Sequence, residues 1–353
     1  MAPVQVRGTV LTIRRVDAYV AMTVVAPAIA TRFRPGQFIA VAVGGPQSSM
    51  LARRAFSVHD VRPDHGGTVE FVFPAREPGA QWLADCRARD VLDVVGPLGR
   101  PFPVPRDPVS CLLLGVGTAT APLFSLAARL SDRGCPTDFL LGGESADRVF
   151  GALTARRTGR SAVVTTADGS MGSRGAVTDM LPTVLQQART DVIYASAPLP
   201  VLRSVCALAR RYSLPVQALV SEPDMTCGTG LCQGCVLPVV GNDGVTRMVR
   251  ACTDGPVFRG DLVRWDDVGT IPFDALGAPG WKPRAGTAQQ PDASAGPTGS
   301  AGPPGSAPPA RPGGGRPASA PPASGPSAKP GPTASGGGRS SGGRASGGRS
   351  HAG

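Results

Sequence analysis

Four cysteines set the tightest limit on this chain. Cys227, Cys232, Cys235 and Cys252 follow the spacing C-x4-C-x2-C-x16-C. Three thiols on one short loop, with a fourth returning from a distance, form a ligand set for one soft-metal centre. Gly228, Gly230 and Gly234 lie among them, where a backbone without Cβ atoms can curl closely and turn its N–H groups toward sulfur. The spacing is that of [2Fe-2S] ligand sets which open C-x4-C-x2-C and take a remote fourth cysteine. Structural zinc is an alternative, although it usually takes two C-x2-C knuckles. A disulfide set is another, and the odd spacing beside four scattered cysteines weighs against it. Those four, Cys86, Cys111, Cys135 and Cys206, lack partners at ligand spacing and read as buried or incidental.

Composition divides the chain in two. From about Ala278 to residue 353 it is Gly, Pro, Ser and Ala, with hardly an apolar side chain larger than alanine. No core there could offset the entropy of ordering, so residues 278–353 are expected to be a disordered tail. The formal charge of +11 splits accordingly. Through Gly277 there are 28 arginines against 24 acidic residues, a balance of +4, and the tail supplies the other +7. The basic character is thus a tail property, and no nucleic-acid groove is expected in the body. The Ser-Gly-Gly-Arg repeats of the tail have no interleaved aromatics and read as a solvated extension rather than an RNA contact.

Two stretches imitate export or membrane signals. Arg14-Arg15 with the apolar run Ala18 to Ala30 resembles a signal peptide, but Asp17 and Pro27 interrupt it and strand-like sequence continues. A strand pair is the expectation there. Val109 to Ala128 holds no charge for twenty residues, yet Gly115, Gly117, Thr118 and Pro122 break it as a strand–turn–helix does. The chain therefore reads as having no membrane span. Thiols kept reduced for a metal centre require a reducing compartment, the cytoplasm.

The rhythm of the chain gives three folded parts. Residues 1–107 carry short β-branched runs at Val4–Val10, Tyr19–Val25, Phe38–Val43, Phe56–Val58, Thr68–Phe73 and Val91–Val95, with one helical segment near Gln81–Arg87. Six such strands between Gly/Pro turns make an antiparallel barrel. Residues 108–215 alternate strands (Leu112–Leu114, Asp138–Leu141, Ala162–Thr165, Val192–Ala195) with helical patterns, the mark of a Rossmann-like parallel sheet. Its first strand-to-helix turn, Gly115-Val-Gly117-Thr118, is where phosphates bind in such folds, though a lone Gly-x-Gly is weak evidence. Residues 216–272 hold the cysteine loop and a hairpin signal, Asn-Asp-Gly at 242–244 between two apolar runs. His59 and His65 flank a turn and read as polar surface.

Barrel, nucleotide fold and cysteine loop in this order resemble the electron-transfer subunits of NAD-linked dihydroorotate dehydrogenases, in the ferredoxin reductase superfamily. The motifs that carry the resemblance are Arg53-Arg54-Ala55-Phe56-Ser57, Gly96-Pro97-Leu98-Gly99, Leu112 to Leu123, Thr166-Ala-Asp168-Gly169-Ser-Met-Gly172, and Glu222 through Cys252 to Phe258. They span roughly residues 5 to 270, and the cysteine segment is the specific part. The resemblance implies that Arg54 pairs with the pyrophosphate of FAD, Phe56 lies against the flavin, and Ser57 bonds near the atom that accepts hydride. Ala55, Gly79, Ala80 and Gly96 join that flavin site by the same resemblance. Gly115, Gly117 and Thr118 would serve a nucleotide, NAD, and the four cysteines would hold [2Fe-2S]. No residue is implied as a catalytic acid, base or nucleophile. The implied partner is a dihydroorotate dehydrogenase catalytic subunit, two copies of each forming a heterotetramer, with electrons passing to NAD in pyrimidine biosynthesis.

Three positions depart from the family pattern. The usual Gly-x-Gly-Thr before the barrel helix reads Glu77-Pro-Gly79-Ala80, which removes a phosphate-binding hydroxyl and leaves Arg54 and backbone to bind FAD. The glycine run opening the nucleotide fold ends in Ala119, where a methyl is expected to crowd a pyrophosphate. The Cys-Gly-Pro placed near the nicotinamide is Ser196-Ala197-Pro198. These departures leave two other readings: a related reductase subunit serving another redox partner, or a relay or redox-sensing protein without nicotinamide turnover.

Overall fold

The computed structural model describes residues 2–45, 48–221 and 224–282; the expected disordered tail lies, beyond residue 282, outside the described residues. Strands come first because β-branched residues alternate with polar ones between tight turns. They are β1 (Val4–Val16), β2 (Tyr19–Val25), β3 (Phe38–Val41), β4 (Arg54–Arg62), β5 (Thr68–Phe73) and β6 (Val91–Leu98), with short helices α1 (Pro27–Ala30) and α2 (Pro78–Ala84) between them. They close into an antiparallel barrel in the order β1-β2-β5-β4-β3-β6. Met22, Ile39, Phe56, Val58, Phe71, Phe73 and Leu92 fill its interior. The signal-like stretch is the β1–β2 hairpin, turned at Asp17 with φ 52°. The barrel helix begins at Pro78 rather than near Gln81, because Glu77 caps it and Pro78 suits its first turn.

The second layer consists of β7 (Cys111–Val116), α3 (Ala121–Ser131), β8 (Thr137–Gly143), α4 (Ala152–Thr158), β9 (Ser161–Thr166), β10 (Ser173–Arg174), α5 (Val177–Gln187), β11 (Val192–Ala197), α6 (Leu199–Arg211) and β12 (Val216–Val220). The sheet runs β10-β9-β8-β7-β11-β12, all parallel, and residues Val257–Arg259 add a last, antiparallel strand beside β12. The uncharged stretch Val109–Ala128 is thus strand, 3-10 turn and helix, and no helix of the described residues is long and apolar enough to cross a membrane.

Beyond the cysteine loop come the hairpin β13 (Val236–Val240) and β14 (Thr246–Arg250), a turn of helix α7 (Ala251–Asp254), and β15 (Val257–Arg259). Strand β15 pairs antiparallel with β12, Leu219 opposite Val257. The boundary expected at residue 215 therefore falls just before a strand that completes the parallel sheet, and the cysteine lobe is joined to that sheet at β15.

Barrel and sheet also meet directly. Tyr19 Oη donates to Arg148 O (2.9 Å), and the amide of Ala18 donates to Asp147 O (3.1 Å). His59, expected at the surface, lies here instead. Its Nδ1 is 3.1 Å from Ala121 O, and its ring meets Phe124 and Phe150 edge-on. An amphipathic ring suits such a seam, apolar on its faces and polar at its rim.

Candidate redox site

The cysteine loop leaves β12, reverses through its glycines and returns to the hairpin. Gly228 and Gly230 take positive φ (66° and 77°), which side-chain-bearing residues rarely adopt. Cys227, Cys235 and Cys252 are buried, whereas Cys232 is exposed. The amides of Thr229 and Cys232 each point at Cys227 Sγ from 3.5 Å. Burial alone would push the Cys227 thiol up, but these N–H groups and the neighbouring Cys232 thiol outweigh it and hold the thiol down at about 6. Cys235 Sγ and Cys252 Sγ lie 3.4 Å apart. Burial, then the neighbouring Cys235 thiol, pushes Cys252 up.

Cys235 and Cys252 thus form a close sulfur pair, and Cys227 Sγ is held by the backbone that carries Cys232. A close sulfur pair, with backbone N–H groups aimed at a third sulfur, suits an iron–sulfur cluster bound by the four cysteines.

The loop rests on the barrel. A Cβ built on Gly228 would stand 2.8 Å from Phe38 Cε2 and 3.0 Å from the Ala55 Cβ, so glycine there lets the loop lie against β3 and β4. Gly99, in the turn after β6, is pressed in the same way against Pro256 of the cysteine lobe. Ala55 belongs to the Arg54–Ser57 run, and the strand expected to carry flavin is the strand that the cysteine loop touches. Alternation along β4 sends Phe56 into the barrel, where its ring packs 5.0 Å from Phe71 and 5.3 Å from Phe73. Ser57 is buried on the opposite face. Gly96 lets β6 approach β3, since a Cβ there would stand 2.9 Å from Ile39.

Arg54 does not stand alone. Its Nε donates to Glu77 Oε2 (3.2 Å), and the amides of Gly79 and Ala80 donate to the same carboxylate (3.4 and 3.0 Å). The donors expected to bind phosphate do converge, and the anion they hold is a side chain of the chain itself. In the sequence Glu77 stands out only as the place where the family pattern has a glycine. An acidic residue directly before Pro-Gly at a helix start was the available signal.

In the parallel sheet, Gly117 has φ 56° and Gly115 lies beneath Thr120, whose Oγ1 a Cβ on Gly115 would meet at 2.5 Å. Thr118 is half-buried beside them, and Ala119 is buried. Ser196 Oγ at the end of β11, Ser221 Oγ just past β12, and Asp224 Oδ2 are buried without hydrogen-bond partners. Asp224 accepts from the Leu199 amide at the start of α6, and burial raises its carboxyl above the usual range. These polar atoms lie at the carboxyl ends of adjacent strands, where open α/β sheets bind ligands.

Residues 222–264 match the iron-sulfur cluster binding domain of dihydroorotate dehydrogenase B. The electron transfer subunit of dihydroorotate dehydrogenase B (NAD(+)) from Bacillus caldolyticus is 36% identical over 234 residues, covering 65% of this chain and 87% of that protein. This chain belongs to the dihydroorotate dehydrogenase B electron transfer subunit family. A probable member from Methanopyrus kandleri is 33% identical over 248 residues, 70% of this chain and 87% of that one. Among solved structures, the NADH-dependent reduced ferredoxin–NADP oxidoreductase, studied for flavin-based electron bifurcation, superposes with a TM-score of 0.64. It is 27% identical and covers 73% of this chain and 90% of that one. A ferredoxin NADP+ reductase from Neisseria gonorrhoeae shares the fold, with a TM-score of 0.51 and 14% identity over 62% of this chain and 94% of that one.

Proposed function

We propose that this chain is the electron-transfer subunit of a dihydroorotate dehydrogenase, passing electrons from a catalytic subunit through [2Fe-2S] and FAD to NAD. The observation that carries this reading is the seating of Gly228, next to Cys227, on Ala55 of β4. Cluster ligands and flavin strand then form one continuous surface. When bound, FAD exchanges electron pairs with a nicotinamide as hydride and releases them singly, while the cluster carries one electron at a time.

The protein's own part is position and tuning. Cys227, Cys232, Cys235 and Cys252 would hold the cluster, and the amides of Thr229 and Cys232, already turned to sulfur, would stabilise its negative charge. Arg54, Gly79 and Ala80 converge as an anion-binding set and would take the flavin pyrophosphate, with Ala55, Ser57 and Gly96 along the ring side. Gly115, Gly117 and Thr118 would accept the nicotinamide nucleotide, and the unpartnered hydroxyls of Ser196 and Ser221, with Asp224 Oδ2, offer polar contacts at the same edge of the sheet. Phe56 contributes by fixing β4 from inside the barrel. The partner would be a catalytic subunit in a heterotetramer of two copies each, in the cytoplasm, where thiolate ligands stay reduced.

The test uses full-length protein purified without oxygen. Iron and acid-labile sulfide in equal amounts, a flavin extracted as FAD, and bleaching of the visible spectrum by NADH are the expected results. Colourless protein, or zinc in place of iron, refutes the reading. A second reading, a ferredoxin-linked reductase subunit, is favoured by the 27% identical oxidoreductase. The dehydrogenase or ferredoxin that co-purifies with the chain separates the two.

A further inference from the structure

We propose that Glu77 is an internal competitor for the flavin pyrophosphate, and so a determinant of which flavins this chain retains. The inference rests on the flavin reading above and concerns how the site is filled. Glu77 uses both carboxylate oxygens: Oε2 accepts from Arg54 Nε at 3.2 Å and from the Gly79 amide at 3.4 Å, and Oε1 accepts from the Ala80 amide at 3.0 Å. These are the guanidinium and the two amides left to bind phosphate once the threonine of the family pattern is alanine. Any phosphate oxygen within hydrogen-bond distance of the same donors sits beside a like charge, which raises the free energy of both anions.

The geometry makes this a competition rather than a permanent block. The Glu77 side chain is 45% exposed, so the carboxylate can swing into water without leaving a buried charge behind. Arg54 and the two amides then exchange one anion for another. Dinucleotide binding must break three contacts before making its own, whereas a flavin without phosphate meets no such requirement. Glu77 therefore lowers the affinity for FAD and leaves that for riboflavin alone.

Full-length chain freed of flavin is titrated with FAD and with riboflavin, following the quenching of flavin fluorescence, for the parent, Glu77→Gln and Glu77→Asp. Glu77→Gln keeps the size of the side chain and removes its charge. Its Kd for FAD is expected to fall about tenfold or more, the effect of losing one charge-assisted competitor. Its Kd for riboflavin is expected to stay within about twofold, a change too small to reflect a lost ion pair. Glu77→Asp keeps the charge and is expected to bind FAD as weakly as the parent, within about threefold. Equal FAD affinity in parent and Glu77→Gln overturns the role of Glu77 while the flavin reading stands. Absence of FAD binding in both overturns the flavin reading and this inference with it. The parent gives a test that needs no substitution: FAD is expected to bind no more than about a hundredfold tighter than riboflavin, and an advantage of about ten-thousandfold would refute the competition.

Discussion

Replacing Gly228 by alanine tests the contact on which the electron path depends. Two costs follow from the structure. The residue has φ 66°, and an L side chain in that left-handed region costs about 1–2 kcal/mol. Its Cβ would also stand 2.8 Å from Phe38 and 3.0 Å from Ala55, closer than packed carbons come, and such overpacking costs about 1–3 kcal/mol. Together these give roughly 2–5 kcal/mol. At about 2–4 °C per kcal/mol for a domain of this size, Tm should fall by roughly 4–20 °C unless the loop lifts from the barrel instead. Either result is informative if two quantities are read together: the Tm of the cluster-loaded protein, and the rate at which NADH reduces the cluster in an anaerobic stopped-flow experiment. A lifted loop keeps Tm and slows cluster reduction, while a strained loop lowers Tm. Adding Ala55→Gly removes the neighbour at 3.0 Å and should restore about 1 kcal/mol, with the Phe38 contact and the backbone strain remaining. Unchanged Tm together with unchanged cluster reduction in Gly228→Ala would refute the seating of the loop on β4.

Two further outcomes follow from the seam between barrel and sheet. Burial, as the main cause, raises the Tyr19 hydroxyl from 10.0 to about 12. The folded state therefore binds this proton more tightly than the unfolded state, and the stability it contributes is complete below pH 10 and lost as pH rises through about 12. Urea unfolding at pH 9 and pH 11.5 should show the parent losing more stability between the two than Tyr19→Phe, and equal losses would sink the argument. His59→Ala removes a hydrogen bond to Ala121 and edge contacts with two phenylalanines, so it should cost about 1–3 kcal/mol, read as a lower midpoint in urea. A midpoint equal to that of the parent would return His59 to the surface.

Much of this architecture is legible in the sequence because it is local. Six β-branched runs between turns, the strand–turn–helix of Cys111–Ser131 and the Asn-Asp-Gly hairpin each announce themselves within a few residues. The cysteine spacing does the same for the ligand set. What sequence order hides is adjacency between distant segments. Strand β12 reads as the approach to the cysteine loop, yet β15, nearly forty residues later, pairs with it and ties the lobe to the sheet. His59 reads as surface because its neighbours Phe124 and Phe150 are more than sixty residues away.

Glu77 is the most instructive of these cases, because a motif comparison records it as a loss. A missing glycine and a missing threonine hydroxyl suggest a phosphate site weakened by subtraction. In the structure the site has gained a ligand, since the longer acidic side chain reaches back to the donors that remain. The two descriptions differ in what restores binding. If hydroxyl loss limits FAD affinity, Ala80→Thr recovers it and Glu77→Gln does not; if occupancy limits it, the reverse holds. Comparing those two substitutions in one flavin titration separates a site that has been emptied from a site that is already filled.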